Sequence, residues 1–438
     1  MLKKRLGLLF ALMLLVVGLV ACGDDEDTSS GDNGSSGDNG SSEEEVVIDF
    51  MHLWPEGSSK QHNMIVQTIV DEFEAENENV TVEMEILGNE QYKEKLSVLG
   101  SSDDLPDVGM TWGGGFINPY VSGNMFADLT ELDTDIFIPG TTEAYAVDGA
   151  TYGLPLELNI TPMYYNQAMF DEYGVDVPET LDELKAAITT LNDNDMTPIT
   201  LGNRDAWTGS MWYMYLADRI GGPSTITDAI SGDISFESEA LIQAAAELQE
   251  LVEMGAFING TNGLGNDEAK GYFINEQAAM YLMATWDLPE WTTNEDNPQE
   301  FRDSIGYFKF PTVEGGAGDI NSYVGGPGVG LFVAENSDVK DEAKDFVGYF
   351  VERWGEMSVT DAGVIPATKV DTGSLDLPQM YIDILNDLNE ASNLTLYADV
   401  QMSAEAADVH LNMIQALFMG EVTPEEFAAA HEEALRAE

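Results

Sequence analysis

The sequence predicts an α/β fold with a mainly parallel, helix-covered sheet and a core divided between two domains. Strand-like and helix-like periods alternate from Val46 onward, the pattern of a sheet whose faces are covered by helices. About 390 residues follow a polar, low-complexity segment, and 44% of the chain is hydrophobic; that is enough apolar material for a large core, usually a divided one. Helical spacing dominates the second half, with no collagen-like or coiled-coil period and no second membrane span.

Val46-Val47-Ile48-Asp49-Phe50-Met51 is a β-run, and Ile65, Ile69, Val70 and Phe73 give a helical face between Asn63 and Glu76. Val80 to Leu87 alternates as a half-buried strand. Tyr92 to Leu99 reads as a helix, and Asp107 to Trp112, after Pro106, as a buried strand. In sheets of this order ligands sit outside the carboxyl ends of the strands, which directs attention to the loops beginning at Leu53 and Trp112. Farther on, helices are expected at Leu181–Leu191, Met211–Ile220, Glu237–Met254, Val339–Glu352 and Ala404–Phe418, with strands at Met280–Met283, Ile305–Phe310 and Val329–Val333. Thr423 followed by Pro424-Glu425-Glu426 is an N-cap with proline at the first helical position.

Ahead of this body, Lys3, Lys4 and Arg5 precede an uncharged apolar run from Leu6 to Val20. A basic head, a short apolar stretch and small residues make a secretory signal. Leu19-Val20-Ala21-Cys22 resembles a bacterial lipobox, which implies cleavage before Cys22 and acylation of its thiol. An ordinary signal peptide is the plainer alternative, but Cys22 is the one cysteine of the chain and stands where the motif requires it. A lone thiol leaves no internal disulfide or cysteine metal cluster to form. Residues 23–45 contain G-D-N-G-S-S twice and no apolar side chain, the composition of a flexible, charge-stretched tether. The D-x-N repeats lack the ligand spacing of an EF-hand loop.

The charge balance is extreme: 17 basic against 80 acidic residues, a net charge of −63. Losing Lys3, Lys4 and Arg5 with the signal makes the mature chain more negative still. Such a body repels phosphate backbones and anionic headgroups, so nucleic acid is not an expected partner. The acid is spread along the chain, as on an external surface adapted to high salt or high pH.

No G-x-S-x-G elbow, H-E-x-x-H helix or P-loop occurs. Gly325-Gly326-Pro327-Gly328-Val329-Gly330 does not complete a nucleotide-binding fingerprint, and its proline suits a turn. The four histidines, His52, His62, His410 and His431, have no metal-ligand spacing, and no metal or cofactor is expected. A carboxylate pair suited to glycoside hydrolysis stays open among so many acids.

The tryptophans carry more. Trp54 before Pro55, Trp112 before Gly113-Gly114-Gly115, Trp207 after Asp205-Ala206, Trp286 before Asp287, and Trp291 stand in loop-like or turn-flanked contexts. Sugar rings have apolar faces and polar rims, so their sites pair flat aromatic platforms with carboxylates. Trp54 with Glu56, Trp207 with Asp205, and Trp286 with Asp287 supply that pairing; core packing with chance acidic neighbours is the alternative for each. Trp212, at helical spacing with Met211, Tyr213 and Tyr215, reads as core.

In order, LPDVGMTWGGGFINPYVSGNMFADLTEL, YGLPLELNITPMYYNQAMFDEYGVDVPETLDEL, NRDAWTGSMWYMYLADRIGG, YFINEQAAMYLMATWDLPEW, IGYFKFPTVEGG and YVGGPGVGLFVAENSDVKDEAKDFVGYFV resemble the substrate-binding lipoproteins of bacterial carbohydrate ABC importers. That group includes maltose-binding protein, and the Trp207 and Trp286 blocks look nearest its raffinose-type and xylo-oligosaccharide branch. The resemblance implies a two-lobed periplasmic-binding-protein-like fold with a ligand cleft between the lobes and a multi-crossing hinge. Lobe one would hold 46–157 plus 309–352, and lobe two 158–308 plus 353–438. It also implies Trp112 as a ring-contacting aromatic, Glu157 as a hinge residue facing the cleft, Trp207 and Trp286 as platforms, and Asp287 as a hydroxyl acceptor. Trp54 and Glu56 would come from the loop after the first strand. The maltose-type pattern offers a further aromatic near Gln401-Met402-Ser403-Ala404, but Glu405-Ala406 follow here, which weighs against maltodextrins. The expected protein is a monomeric, non-enzymatic receptor, lipid-anchored to the outer face of the cell membrane. It would deliver an oligosaccharide to ABC permease subunits with a separate ATPase. A secreted glycan-degrading enzyme and a receptor for a polyamine are the alternatives.

Overall fold

The computed structural model describes residues 45–437; the leader, Cys22 and the tether up to residue 44 lie outside them. Alternation of period produces the expected β-α-β-α-β start. The strand Val46–His52 pairs in parallel with Val80–Ile86 on one side and Val108–Thr111 on the other. The helices Lys60–Glu76 and Asn89–Ser102 connect them. Gly330–Val333 and Leu154–Pro155 then complete a five-stranded sheet as antiparallel additions. Ile48, Phe50, Ile65, Ile69, Phe73, Val108 and Phe346 close the first core.

The second lobe departs from the parallel expectation. Its sheet runs Ile305–Phe308, Met163–Asn166, Met280–Leu282, Ile199–Thr200, and Met163–Asn166 is antiparallel to both neighbours. Short apolar runs specify burial but not strand direction, because direction is set by the connections between strands. Helices cover this sheet. Leu181–Asp193 buries Leu181, Leu184, Ile188 and Leu191 along one stripe, and a capping box joins Thr180 to Glu183 at its start; such a cap contributes about 1 kcal/mol. Trp207–Gly221 is buried nearly all round, with Trp212 fully enclosed as core. The last helix, Pro424–Arg436, has the expected Thr423 cap, closed into a box by Glu426.

A third sheet joins the lobes. Ser322–Pro327 runs antiparallel to Leu158–Ile160 and parallel to Asn393–Thr395. Packing places the crossings near residues 157, 325–328 and 358–365, where the chain passes from one core to the other. Phe310, Tyr323 and Val324, expected in lobe one, pack in the second core, while Trp354, expected in lobe two, packs in the first. The glycine-rich segment belongs to this hinge. A Cβ on Gly325 would sit 2.2 Å from the Asn159 carbonyl oxygen, and Gly326 has φ 143°. Only glycine allows the two hinge strands to approach so closely.

The C-terminal helices are locked by a buried chain of hydrogen bonds. The Ser210 Oγ lies 2.6 Å from His410 Nε2, His410 Nδ1 lies 2.8 Å from His431 Nε2, and His431 Nδ1 is 2.7 Å from the Phe427 carbonyl. The carbonyl can only accept, so the protons run one way: Ser210 donates to His410, His410 to His431, and His431 to Phe427. Both rings are then neutral, and protonating His431 sets its Nε2–H against the His410 Nδ1–H. Burial holds His431 down at about 4; burial and the neighbouring ring hold His410 well below the ordinary range. Because the folded pKa lies below the unfolded value, this stabilisation is complete above pH 6.5 and is lost as pH falls toward 4. The loss of Tm on acidification between those limits is expected to be smaller in His431→Gln than in the native chain. Comparing the two slopes cancels the shared titration of the surface carboxylates; equal slopes would remove the histidine pair from the acid response.

Candidate functional site

The carboxyl end of the first sheet and the loops of the second lobe face one another across an open cleft. Of the seven tryptophans, Trp112, Trp207 and Trp286 alone are partly exposed, and all three line it. Trp112 ends the strand Val108–Thr111, and Trp207 opens the helix Trp207–Gly221. Trp286 sits in the turn Thr285–Asp287 after Met280–Leu282. Trp207 and Trp286 meet edge to face at 5.9 Å, and Trp286 lies 5.8 Å from the Tyr397 ring. Indoles left half in water at strand and helix ends offer faces to a ligand, whereas an indole within an element is enclosed.

Trp54 also lines the cleft but is buried, with one face stacked on Trp354 at 4.6 Å and 7°. Glu56 and Asp205 do not line the cleft. The turn at Pro55, whose carbonyl accepts from Ser58 and Ser59, leaves Glu56 exposed. Asp205 instead accepts from the Asn266 backbone N–H at 2.7 Å, anchoring the helix Asn266–Ile274; burial raises its pKa, opposed by that hydrogen bond.

Glu157 is buried at the first crossing. Its Oε1 lies 2.9 Å from His62 Nε2, and its Oε2 accepts from Asn159 Nδ2 at 3.3 Å. Asn159 Oδ1 in turn accepts from Thr285 Oγ1 at 2.9 Å. A polar chain therefore runs from the first-lobe helix through the hinge to the residue before Trp286.

Asp287 is buried and doubly engaged. Lys270 Nζ donates to its Oδ1 at 3.0 Å and the Tyr281 hydroxyl to its Oδ2 at 3.2 Å. Glu290 and Asp267 lie 3.9 Å from the same ammonium. Burial would lower Lys270, but Asp287, Glu290 and Asp267 outweigh it and hold the ammonium above its ordinary range. Burial raises Asp287, and Lys270 opposes that rise. The wall behind Trp286 is thus a charged network fixed within the protein.

Three contacts tie the lobes together across the cleft. Trp207 Nε1 donates to Glu90 at 3.1 Å, Lys270 Nζ to the Ser58 carbonyl at 3.2 Å, and Lys60 to Asp296. Lys93 stands 4.9 Å over the Trp112 ring. His62, Lys93, Lys270, Tyr397 and Asp399 are lining residues that sequence reasoning missed. Tyr397 supplies an aromatic a few residues before the segment where the maltose-type pattern has one. Among the described residues no group of His, Cys, Asp and Glu is arranged to hold a metal ion, and no helix is long and apolar enough to cross a membrane.

Comparisons with known proteins agree with this architecture. The family of bacterial extracellular solute-binding proteins matches residues 58–353. A solved structure from work on xylan utilization by the thermophilic bacterium Caldanaerobius polysaccharolyticus has a TM-score of 0.83 and 31% identity, covering 89% of this chain and 99% of that one. The Multiple sugar-binding protein of Streptococcus mutans is 25% identical over 361 residues, 79% of this chain and 78% of its own length. The Melibiose/raffinose/stachyose-binding protein MelE of Bacillus subtilis is 22% identical over 308 residues, 67% of this chain and 68% of its own length. With a match running from the first helix of the described residues into the helix Lys340–Met357, the chain belongs to the bacterial extracellular solute-binding protein family.

Proposed function

We propose that the protein is a non-enzymatic receptor that captures an oligosaccharide between its lobes and presents it to the permease of an ABC importer. The observation that carries this reading is the convergence of Trp112, Trp207 and Trp286, the three partly exposed tryptophans, in one cleft. Sugar rings stack on these faces, while Glu157, Asp287 and the neighbouring amides accept from hydroxyls at the rims. The relatives named for sugars support the ligand class. Closure about the hinge brings the two lobe surfaces into one face, the form a permease with a separate ATPase would read. The protein works as a monomer in this scheme and needs no cofactor. The pairing of Asp287 and Glu290 with Lys270 weighs against a polyamine receptor or a glycosidase, since a carboxylate already neutralised can still accept from a hydroxyl but offers less to a cation or a general-acid role.

The receptor is held at the outer face of the membrane by acylated Cys22, with residues 23–45 as its tether. Cys22→Ala is expected to move the protein from the membrane fraction into the soluble fraction and abolish palmitate labelling. Retention and labelling in the variant would remove the anchor. Ligand capture is tested on the protein from Glu43 onward by tryptophan fluorescence and Tm in molar salt. Raffinose, stachyose, xylo-oligosaccharides and maltodextrins form the panel, with a polyamine as control. A saturable shift with one sugar and no sugar consumption supports the receptor. Silence across the sugars with a salt-sensitive polyamine response overturns it.

A further inference from the structure

Glu90 stands in the first turn of the first-lobe helix Asn89–Ser102 and does not line the cleft, yet it holds a side chain that does. Its Oε1 accepts from the Trp207 indole N–H at 3.1 Å. Trp207 begins the second-lobe helix Trp207–Gly221, so this bond crosses from one lobe to the other. The accepting oxygen is fixed on its own side. Asn89 Nδ2 donates to it at 2.6 Å, and Lys93 Nζ stands 4.0 Å from it. On the far side the indole meets the Trp286 ring edge to face at 5.9 Å.

The charge on Glu90 works against this contact. Burial raises the pKa of Asp205 and of Asp399, both in the second lobe, and the Glu90 carboxylate adds to each rise. Bringing the lobes together here sets like charges near one another. What the seam gains from Glu90 is therefore an oxygen that accepts from the indole.

We propose that Glu90 is a positioning residue for ligand capture, which takes the Trp207 N–H as the lobes meet and fixes the plane of that indole against the bound sugar. The inference rests on the oligosaccharide reading above. A partly exposed indole turns about its side-chain torsions, and a ring stacks well only on a face already held in place. Parting the lobes breaks the bond, so Glu90 acts on release of the sugar rather than on its arrival.

A double-mutant cycle tests this, with calorimetric titration of raffinose, stachyose and xylo-oligosaccharides into the native protein, Glu90→Ala, Trp207→Phe and the double variant. Trp207→Phe keeps an aromatic ring and deletes the N–H. Glu90→Ala is expected to weaken binding of the responding sugar by about tenfold, the scale of one charge-assisted hydrogen bond. In the Trp207→Phe background the same change should cost no more than about twofold, because the donor is already gone. Glu90→Gln keeps an accepting oxygen without the charge and is expected to recover most of the loss. Stopped-flow kinetics should show faster release with unchanged association. The Glu90 side chain is 47% exposed, so Tm without sugar is expected to stay close to native. Equal losses in both backgrounds, no loss in Glu90→Ala, or no recovery in Glu90→Gln overturns the positioning role and leaves the oligosaccharide reading intact. Silence of the native protein toward every sugar overturns both.

Discussion

Replacing Trp286 by alanine is expected to weaken oligosaccharide binding by about 30-fold or more, roughly 2 kcal/mol. Trp286 stands at the centre of the aromatic cluster, between Trp207 at 5.9 Å and Tyr397 at 5.8 Å. Truncation removes a face and loosens both neighbours. Because the indole is partly exposed and lies in the single 3-10 turn Thr285–Asp287, the fold should survive the loss. Calorimetric titration with the sugar that responds in the panel, beside far-UV circular dichroism and Tm, separates the two effects. Unchanged affinity would take Trp286 out of the site, and a collapsed Tm would make it a packing residue. The same measurement on Trp54→Phe should give a much smaller loss, since one face of Trp54 is already covered by Trp354.

Lys270→Met is expected to destabilise the protein by about 3–5 kcal/mol, the cost of removing one partner from a buried charge network. Only 9% of the lysine side chain is exposed, against 7% for Asp287 and 12% for Glu290, so both carboxylates lose their cation while staying out of solvent and keep only the hydrogen bonds from Tyr281, Asn294 and Asn297. The substitution also deletes the contact to the Ser58 carbonyl across the lobes, which should weaken closure and ligand affinity together. Denaturant unfolding measures the first effect and sugar titration the second. Adding Asp287→Asn to Lys270→Met should restore part of the stability, because it removes one uncompensated charge. A single variant as stable as the native chain would show that water reaches this wall and that the network is dispensable.

These two residues differ in how far the chain announces them. Trp286 is recognisable locally: an indole between Thr285 and Asp287, just past a short apolar strand, is out of place in a core. Lys270 carries no such signal. It is one lysine in a helix, and its role comes from Asp287 and Glu290 later in the chain and Ser58 far earlier. Glu56 and Asp205 show the converse, being placed outside the cleft lining. Each sits beside a tryptophan in sequence, yet the Pro55 turn carries Glu56 to the surface, and the Asn266 backbone captures Asp205. Adjacency along a chain places side chains in one neighbourhood only when the local backbone points them the same way.

The fold divides along similar lines. Helices such as Leu181–Asp193 and Ala404–Met419 and the opening parallel strands follow from period and capping, which are properties of neighbouring residues. The antiparallel second sheet and the place of the second crossing do not, because pairing partners and hinge contacts join residues remote in sequence. The Gly325-Gly326-Pro327-Gly328 segment reads as a turn until the Asn159 backbone is seen beside Gly325.

Reading along the chain alone thus gives an acidic α/β protein, a set of turn-borne tryptophans, and a resemblance that names its family. These are matters of composition, period and short motifs. Which tryptophans offer a face to the cleft and which carboxylates are already neutralised depend on tertiary contacts within and between the lobes. Those are distances between residues far apart in the chain, and they exist only once both cores have folded and the hinge has brought them together.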